Sequence, residues 1–277
     1  MSNIPIVQIE PTNQCNRNCD ICMRGYQNRP IGFMDYEDFK KFIDLNKPSY
    51  VGFHGWGEPL LHNNIVDMVS YASSKGCITS LITNGFLLDQ ELIQKLFTAG
   101  LKELAFGVYK LSILKSIADR ILLASKIKRR MNTKRPEIII DITVYQGNKD
   151  EILDIIKEAF KLGVEKVNLH RIFNLHNPQH KALSKDEEQS LFKRIKELAK
   201  DLKLKIIYPK EHGFPCRIAK YSVFITWDFK ITPCCFLIDV VLAQGPQIRL
   251  GDLTRLESYK KFLGKRPATD ICSKCII

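Results

Sequence analysis

The sequence predicts an α/β fold: a partial (β/α)6 barrel of the TIM type with parallel strands, followed by a small C-terminal α+β hairpin domain. Short apolar runs rich in β-branched residues alternate six times with amphipathic helical patterns. Alternation of this kind is typical of right-handed βαβ units, which build a parallel sheet covered by helices. After about residue 203 the alternation stops and a hairpin pattern replaces it. We therefore predict two domains, at 1–203 and 204–277.

Each predicted strand is an apolar run that ends at a turn, and each predicted helix repeats apolar residues at every third or fourth position. The six strands are predicted at 4–10, 50–54, 78–83, 103–109, 137–145 and 166–173. The helices that follow them are predicted near 35–44, 64–75, 89–99, 112–131, 149–162 and 184–202. In the second domain "YSVFITW" and "KITPCCF" flank "DF" as the strands of a hairpin, and "LTRLESYKKFL" predicts a short helix.

The composition fits a folded protein that is neither secreted nor inserted in a membrane. With 277 residues, 45% of them hydrophobic, the chain can bury a full core. No signal peptide or membrane-spanning apolar run is evident, so we expect a cytoplasmic protein without a membrane partner. The net charge is +12, but the densest basic run, at 126–135, falls at a helix end and lacks aromatic residues that stack on bases. The sequence therefore argues against a nucleic acid partner.

Nine cysteines in such a chain favour metal binding, because cytosolic thiols stay reduced and disulfides are rare there. Three of them, Cys15, Cys19 and Cys22, stand within "CNRNCDIC". A structural zinc site has four ligands, so this trio would need a distant His or Cys to complete one. A cubane iron–sulfur cluster held by three thiolates would leave one iron open to an external ligand. An incomplete ligand set is typical of a catalytic metal site.

Further polar segments lie at the ends of neighbouring strands. "GWGEP" follows the second predicted strand and "TNG" follows the third, while Tyr109 ends the fourth and Arg171 lies near the end of the sixth. In parallel β/α folds the reactive groups lie beyond the carboxyl ends of the strands. We therefore expect the three-cysteine loop and these residues to share one edge of the sheet.

The stretch "VQIEPTNQCNRNCDIC" resembles the start of the radical S-adenosylmethionine (radical SAM) enzymes, in which a first strand precedes CxxxCxxC. The resemblance implies a [4Fe-4S] cluster on the three cysteines, with S-adenosylmethionine on the open iron as the source of a 5′-deoxyadenosyl radical that abstracts a hydrogen atom. Gly57 and Glu58 of "GWGEP" match the family's motif that holds the methionine amino group. Asn84 and Gly85 match the motif after the third strand, and the match extends over about residues 4–175.

The chemistry of these residues is compatible with such roles. Gly55 and Gly57 would let the backbone approach a ligand closely, and the Glu58 carboxylate could accept hydrogen bonds from an ammonium group. Two positions depart from the family's pattern: Ile21 stands where an aromatic residue usually packs on adenine, and "FGVYK" replaces a Ser-x-Asp strand end. Arg120 stands about where related enzymes anchor the cofactor's carboxylate, so the resemblance makes it a candidate for that contact.

A second group of cysteines follows in the C-terminal domain, at Cys216, Cys234, Cys272 and Cys275. Their spacing alone allows a four-thiolate zinc site or a second iron–sulfur cluster. Their surroundings, "ITWDFKITPCC", "LGDLTRLESYKKF" and "CSKC", resemble the twitch domain, a shortened form of the SPASM extension of radical SAM enzymes. That resemblance implies one auxiliary [4Fe-4S] cluster on these four cysteines, hence two clusters in all. It favours Cys234 over Cys235 as the ligand, and Cys77 is expected to be an ordinary buried thiol.

The resemblance implies an anaerobic radical SAM oxidoreductase that removes a substrate hydrogen atom and passes an electron to the auxiliary cluster. The accompanying proton needs an acceptor, and the polar candidates at strand ends are Gln8, Glu10, Tyr109, Lys110, His170 and Arg171. The partners would be a flavodoxin- or ferredoxin-like reductant and a substrate, with a small molecule favoured because no peptide-binding domain precedes the first strand. The alternatives are a peptide or protein maturase that forms a crosslink or an oxidised side chain, an RNA-modifying radical enzyme, and a nonenzymatic iron–sulfur or zinc protein.

Overall fold

The structure is a computed structural model, and it describes residues 5–173, 177, 179–211, 213, 216–264 and 267–275. The strands within them are β1 Ile6–Ile9, β2 Tyr50–Phe53, β3 Ile78–Thr83, β4 Glu103–Val108, β5 Glu137–Val144, β6 Lys166–Arg171, β7 Lys205–Ile207, β8 Ser222–Ile225, β9 Lys230–Thr232 and β10 Ala243–Gln244. The α-helices are α1 Tyr36–Asn46, α2 Ile65–Ser74, α3 Gln90–Thr98, α4 Leu111–Arg130, α5 Ile152–Lys161, α6 Lys185–Leu202, α7 Arg217–Tyr221, α8 Leu250–Leu253, α9 Glu257–Phe262 and α10 Asp270–Ser273. Two short 3₁₀ helices, Met23–Tyr26 and Pro59–Leu61, follow β1 and β2.

The described strands form one sheet in the order β10-β9-β8-β1-β2-β3-β4-β5-β6-β7. Strands β1 to β7 are parallel and adjacent in chain order, and an α-helix follows each of β1 to β6. The predicted α/β fold class with parallel strands is therefore confirmed. All six predicted strands are present, although residue 4, the first residue of the predicted strand 4–10, lies outside the described residues. Sequence analysis missed β7, because three residues are too few to show a period.

The two faces of the sheet differ because side chains alternate along each strand. One face packs against the helices and carries large apolar side chains such as Phe53 and Leu81, both fully buried. On the other face the paired positions Gln8, Gly52 and Ser80 are polar or small. This inner face forms the lumen of the barrel, where polar groups are available for chemistry rather than for packing.

A buried ionic cluster fills the lumen at the amino ends of the strands. The Nζ atom of Lys166 lies 3.1 Å from Glu103 and 2.6 Å from Glu137, and the Tyr50 hydroxyl donates to Glu103 at 2.7 Å. These four residues are the first residues of β2, β4, β5 and β6. Because the amino end is filled in this way, polar chemistry in the lumen is left to the carboxyl edge.

The helix boundaries follow capping chemistry. Asp35 and Asp89 accept hydrogen bonds from first-turn amides of α1 and α3, and Ser184 forms a capping box with Glu187 at the start of α6. The basic run at 126–135 covers the last turn of α4, where cations oppose the negative end of the helix dipole. None of the described helices is long and apolar enough to span a membrane.

The C-terminal segment joins the same sheet. Strand β8 runs parallel to β1, and β9 and β10 continue antiparallel beyond it. The predicted hairpin is present as β8 and β9, and its turn holds Phe229 at φ +57°. The predicted short helix is divided into α8 and α9. The predicted domain boundary near residue 203 stays a prediction, because β7 and β8 extend the sheet that begins in the first domain.

Candidate active site

The three-cysteine loop lies between β1 and α1, at the carboxyl edge of the sheet. Cys15, Cys19 and Cys22 are half-buried free thiols. The Cys22 amide donates to the Cys19 carbonyl at 3.1 Å, which turns the chain between the last two cysteines. Cys22 also caps the first 3₁₀ helix, and the Arg24 amide lies 3.5 Å from its sulfur. The structure thus brings the three predicted ligands into one compact loop.

The three thiols lie close enough to influence one another electrostatically. Burial raises the pKa of Cys15 and of Cys22, and the neighbouring thiols of the loop raise both further. The amides of Arg17, 3.4 Å from the Cys15 sulfur, and of Arg24 oppose this rise. Three buried thiolates therefore need positive charge between them, and iron ions supply it. This set of donors fits a cluster that takes three protein thiolates.

The glycines of "GWGEP" let this segment pack directly on the cysteine loop and β1. A Cβ at Gly57 would lie 2.1 Å from the Thr12 carbonyl oxygen, so only glycine fits there. A Cβ at Gly55 would lie 2.7 Å from the Glu10 side chain. Both glycines thus allow a close approach of protein to protein, and the predicted approach to a cofactor stays a prediction.

Glu58 is buried between the ends of β2 and β3. Its Oε1 accepts hydrogen bonds from the Thr83 hydroxyl at 2.6 Å and the Leu60 amide at 3.2 Å, and its Oε2 accepts from the Asn84 amide at 2.8 Å. Burial raises the pKa of Glu58, while these donors oppose the rise. The Glu58 backbone amide donates to the carbonyl of Gln14, the residue before Cys15, at 2.8 Å, and the carboxylate raises the pKa of Cys15. Its oxygens can accept further hydrogen bonds, and the predicted contact with an ammonium group stays a prediction.

Glu10, a predicted proton acceptor, is fully buried and already bound on all sides. Its carboxylate forms a bidentate ion pair with Arg29 at 2.8 and 2.9 Å. It also accepts from the Trp56 amide at 3.2 Å and the Trp227 amide at 3.4 Å. These contacts join β1 to the cysteine loop, to "GWGEP" and to the hairpin turn. Such surroundings favour a positioning role and do not support the predicted catalytic one.

Tyr109 and Lys110 face the cysteine loop from the end of β4. The Tyr109 hydroxyl lies in hydrogen-bonding range of the Cys19 thiol and the Asp20 carboxylate. Burial raises the pKa of Tyr109, and these two neighbours raise it further. The Lys110 ammonium pairs with Asp20 at 3.1 Å, and His180 lies 3.9 Å from the same carboxylate. Tyr109 therefore stands beside a predicted cluster ligand, and its predicted catalytic role stays a prediction.

Two further predicted cofactor contacts, Ile21 and Arg120, lie within the cysteine loop and on α4. Ile21 is half-buried within the loop, between the second and third cysteines. Arg120 lies on α4 and is half-buried. It follows Ile117 by one turn, and Ile117 packs near Gly85: a Cβ added at Gly85 would lie 3.4 Å from the Ile117 Cδ1. Their predicted contacts with the cofactor stay predictions.

Arg171 lies at the end of β6, but its guanidinium turns towards α6. It forms a bidentate pair with Glu188, both bonds at 2.7 Å, and donates to the Lys210 carbonyl at 2.6 Å. These contacts tie β6 to the following helix and the segment after β7. They support a structural role for Arg171 rather than the predicted catalytic one.

His170 belongs to a polar cluster in the lumen. Its Nε2 lies 3.6 Å from Asp141 Oδ1, and Asn168 donates to the same oxygen at 2.7 Å. About half of the His170 side chain, 53%, is exposed. Desolvation of the rest would lower the pKa of His170, but the Asp141 carboxylate outweighs it and raises the pKa. Burial alone would raise the pKa of Asp141, but His170 and Asn168 hold it below its ordinary value. In this group of polar side chains, a buried carboxylate therefore stabilises an imidazolium.

His54 completes this cluster from the opposite strand, β2. Burial lowers its pKa to about 4, so its imidazole is neutral, and Asp141 weakly opposes that shift. A Cβ at Gly52 would lie 2.9 Å from the His54 ring, which therefore lies against bare backbone inside the lumen. Among the described residues nothing hydrogen-bonds the buried His54 Nδ1. A buried ring nitrogen without a partner indicates a place where a ligand's polar group fits.

Sequence analysis singled out His170 but missed Asp141, Asn168 and His54. The signal was present, since Asp141 interrupts the apolar run "EIIIDITV" at a position that strand alternation places on the inner face. Their meeting depends on the register of three strands, with Asp141 opposite Asn168 and Thr143 opposite His170. That register is a property of the tertiary fold.

The second group of cysteines meets at one cavity. Its lining residues include four thiols and large apolar side chains: Cys216, Cys234, Cys272, Cys275, Phe173, Phe236 and Phe262. Burial raises the pKa of Cys234 well above its ordinary value, and neighbouring thiols raise it further. Among the described residues, no three His, Cys, Asp or Glu side chains converge on a single metal ion. The four thiols surround a shared space instead, which fits a multi-atom cluster.

Cys235 points away from this cavity. Its thiol contacts Gln8 on the inner face of β1, and it does not line the cavity. The Cys235 carbonyl accepts a hydrogen bond from the Trp56 indole at 2.9 Å, and the Trp56 ring packs on Phe236 with centroids 5.6 Å apart. Both cysteines lie in the turn that follows β9, and of the two Cys234 lines the cavity. The choice of Cys234 as ligand stays a prediction. Cys77 is buried in the core, as expected.

Fold and site together define a parallel β/α barrel protein with a three-thiol metal-binding loop at its carboxyl edge. The chain belongs to the radical SAM superfamily, whose family model matches residues 9–180. The superfamily uses a [4Fe-4S] cluster and S-adenosylmethionine, and solved structural neighbours contain bound AdoMet. The predicted family and radical SAM catalysis are confirmed, while the twitch-like domain stays a prediction.

Individual relatives are distant. The chain is 24% identical over 248 residues to a tungsten-containing aldehyde ferredoxin oxidoreductase cofactor-modifying protein of Pyrococcus furiosus, covering 82% of this chain and 69% of that one. It is 28% identical over 178 residues to an AdoMet-dependent heme synthase of Methanosarcina barkeri, covering 59% and 49%. Streptococcus suis SuiB bound to the precursor peptide SuiA matches at a TM-score of 0.80 and 14% identity, covering 99% and 70%. BtrN in complex with AdoMet and 2-DOIA matches at a TM-score of 0.58 and 16% identity, and the match covers 98% of this chain and 92% of BtrN. At these identities the solved structures establish the fold alone.

Proposed function

We propose that the protein is a radical SAM oxidoreductase that oxidises a small molecule by two electrons and passes one of them to an auxiliary [4Fe-4S] cluster. The observation that carries this proposal is the cavity lined by Cys216, Cys234, Cys272 and Cys275. Four thiolates complete the ligand set of a cubane cluster. A cluster without an open iron cannot bind substrate, so its simplest use is electron transfer.

Iron and zinc content tests this proposal. Anaerobically reconstituted protein is expected to bind about eight irons, four at the cysteine loop and four at the C-terminal cavity. Metal analysis together with acid-labile sulfide measures both. One tightly bound zinc with about four irons would contradict the auxiliary cluster, and would leave the radical SAM cluster untouched.

The proposed oxidation also needs a proton acceptor, and the lumen holds a candidate for it. When bound at the loop, the cluster and S-adenosylmethionine supply the radical that removes a substrate hydrogen atom. A carbon that bears a hydroxyl or amino group then reaches the carbonyl or imine level by losing one electron and one proton. His170 would take the proton, and Asp141, 3.6 Å away, would stabilise the imidazolium. Cys216, Cys234, Cys272 and Cys275 would hold the auxiliary cluster, which would supply the electron acceptor. The unpartnered His54 Nδ1 provides a hydrogen-bonding position for the same polar group.

Substrate oxidation is expected to depend on pH through His170. Neutral imidazole accepts the proton, and Asp141 raises the pKa of His170 above 6.5, so the rate should rise with pH through a midpoint above that value. The Asp141→Asn variant should move the midpoint to lower pH, and His170→Asn should slow oxidation by about 100-fold or more. The groups that face His170 are Asp141 and His54 in the lumen and Arg171, Lys210, Glu211 and Arg217 in the adjoining cleft.

The control for this pH dependence is Asp154→Asn, which removes a carboxylate on α5 that, among the residues the structure describes, pairs with the exposed Lys157 alone. The measurement is the pH profile of product formation, with 5′-deoxyadenosine release as the reference for intact cofactor chemistry. A midpoint that does not change in Asp141→Asn would contradict the assignment of His170 as proton acceptor.

A peptide is the second candidate substrate. The cleft beside His170 is open to solvent and is lined by the charged side chains of Arg171, Lys210, Glu211 and Arg217. An open cleft next to the lumen would admit one side chain of a longer substrate. Screening small molecules and peptides for stimulated release of 5′-deoxyadenosine, with deuterium transfer to locate the attacked carbon, separates the two candidates.

A further inference from the structure

Each sulfur of the three-cysteine loop has a hydrogen-bond donor, and two of these donors come from strand ends outside the loop. The Arg17 and Arg24 amides approach Cys15 and Cys22 from within the loop, at 3.4 and 3.5 Å. The Asn84 side-chain amide lies 3.8 Å from the Cys15 sulfur, within the range of sulfur hydrogen bonds. The Tyr109 hydroxyl approaches the Cys19 thiol, as described above.

Tyr109 has one hydroxyl proton and two acceptors within reach, Cys19 and Asp20. Asp20 already has a cation, the Lys110 ammonium at 3.1 Å. When cluster binding removes the Cys19 proton, the sulfur becomes acceptor only, so the Tyr109 O–H is free to donate to it. The fixed ammonium beside Asp20 thereby directs the tyrosine proton towards sulfur.

Asn84 is held in place for the same task. Its backbone amide donates to Glu58 at 2.8 Å, and its side-chain oxygen accepts from the Phe86 amide at 3.1 Å. Its Nδ2 donates to the Asn16 side chain at 2.7 Å, which aims the second N–H at the cysteine loop. These bonds fix which end of the amide faces Cys15.

We propose that Tyr109 and Asn84 are positioning residues that donate hydrogen bonds to the Cys19 and Cys15 sulfurs and thereby raise the reduction potential of the cluster at this loop. Hydrogen bonds to ligand sulfurs draw negative charge from an iron–sulfur cluster and stabilise its reduced, more negative state. The cluster must be reduced before it cleaves S-adenosylmethionine, so these two donors would set which electron donors suffice. The inference rests on family membership and the cysteine loop, and it does not require the auxiliary cluster.

The test is a redox titration of the reconstituted full-length protein, followed by electron paramagnetic resonance. The signal that changes when S-adenosylmethionine is added identifies the cluster with the open iron. In Tyr109→Phe the ratio of reduced to oxidised cluster at a fixed solution potential is expected to fall about tenfold, which equals about 59 mV for a one-electron couple. Asn84→Asp keeps the oxygen that accepts from Phe86 but replaces the donor with a carboxylate, so it should also lower the potential.

The matched control is Tyr145→Phe, which removes a hydroxyl at the end of β5. Tyr145 packs edge-on against His180 with ring centroids 5.4 Å apart, and within the described part of the chain it has no hydrogen bond or ring contact with a cysteine of the loop. The reduction potential of the cluster in Tyr145→Phe should equal that in the unmodified protein. An unchanged potential in Tyr109→Phe at full iron content, or an equal shift in Tyr145→Phe, would overturn the proposal. If Tyr109→Phe binds less iron, Asn84→Ala decides, because it removes the amide donor without adding the charge of a carboxylate. An unchanged potential in Asn84→Ala would overturn the proposal as well.

Discussion

Replacing Cys15, Cys19 and Cys22 with alanine is expected to abolish reductant-dependent formation of 5′-deoxyadenosine. The three sulfurs lie in one compact loop, and burial raises the pKa of Cys15 and Cys22, so the charged form of these two thiols is costly without iron. Replacing a residue that merely supports a metal ligand lowers metal affinity or activity by about 10- to 100-fold. Loss of the ligands themselves should therefore lower 5′-deoxyadenosine formation by more than about 100-fold. Chromatographic measurement of 5′-deoxyadenosine and iron content checks this result.

The control for the triple variant is Cys77→Ala. Cys77 is buried in the core at the start of β3 and belongs to neither group of ligands. This variant should keep its full iron content and its cofactor cleavage. Persistent 5′-deoxyadenosine formation by the triple variant would show that the loop does not hold the catalytic cluster.

Replacing Cys272 and Cys275 with alanine should separate cofactor cleavage from substrate oxidation. Both thiols line the C-terminal cavity, and no residue of the three-cysteine loop is among its described lining residues. Iron content is expected to fall from about eight to about four per chain. Reductant-dependent 5′-deoxyadenosine should still form, whereas the oxidised product should disappear, because the substrate radical has lost its electron acceptor.

The matched variant is Cys235→Ala, which removes a thiol adjacent in sequence that faces Gln8 instead of the cavity. It should keep about eight irons and form product. The assignment of the auxiliary cluster would be contradicted if Cys235→Ala lost iron and the double variant kept it. Loss of iron from both would indicate that the hairpin unfolds, and circular dichroism would detect that.

Much of the site could be predicted from the sequence, because it rests on local spacing and on parallel topology. Three cysteines within eight positions must share a loop, whatever the rest of the chain does. Parallel strands in chain order bring their carboxyl ends to one edge. "GWGEP" and "TNG" therefore had to meet the cysteine loop there. The Glu58 amide donates to the Gln14 carbonyl at 2.8 Å, and the Asn84 side chain donates to Asn16 at 2.7 Å.

The partners of individual side chains could not be predicted in this way. Glu10 was a plausible proton acceptor on β1, but Arg29 from an irregular loop and two amides from distant segments bind it on every side. Arg171 likewise turned from the lumen to Glu188 on α6. Such pairs depend on how distant segments pack together, and neither periodicity nor spacing in the sequence predicts that packing.

The sequence by itself determined the fold class, the ligand trio and the membership in a family that cleaves S-adenosylmethionine, because each follows from periodicity or from neighbours along the chain. Only the tertiary structure decided which thiols face the second cavity, and that His170 has Asp141 and His54 as companions in the lumen. It also placed Tyr109 beside Cys19. The physical reason is that strand register and loop packing, which join residues as far apart as Glu10 and Trp227, 217 positions along the chain, determine the direction of a side chain.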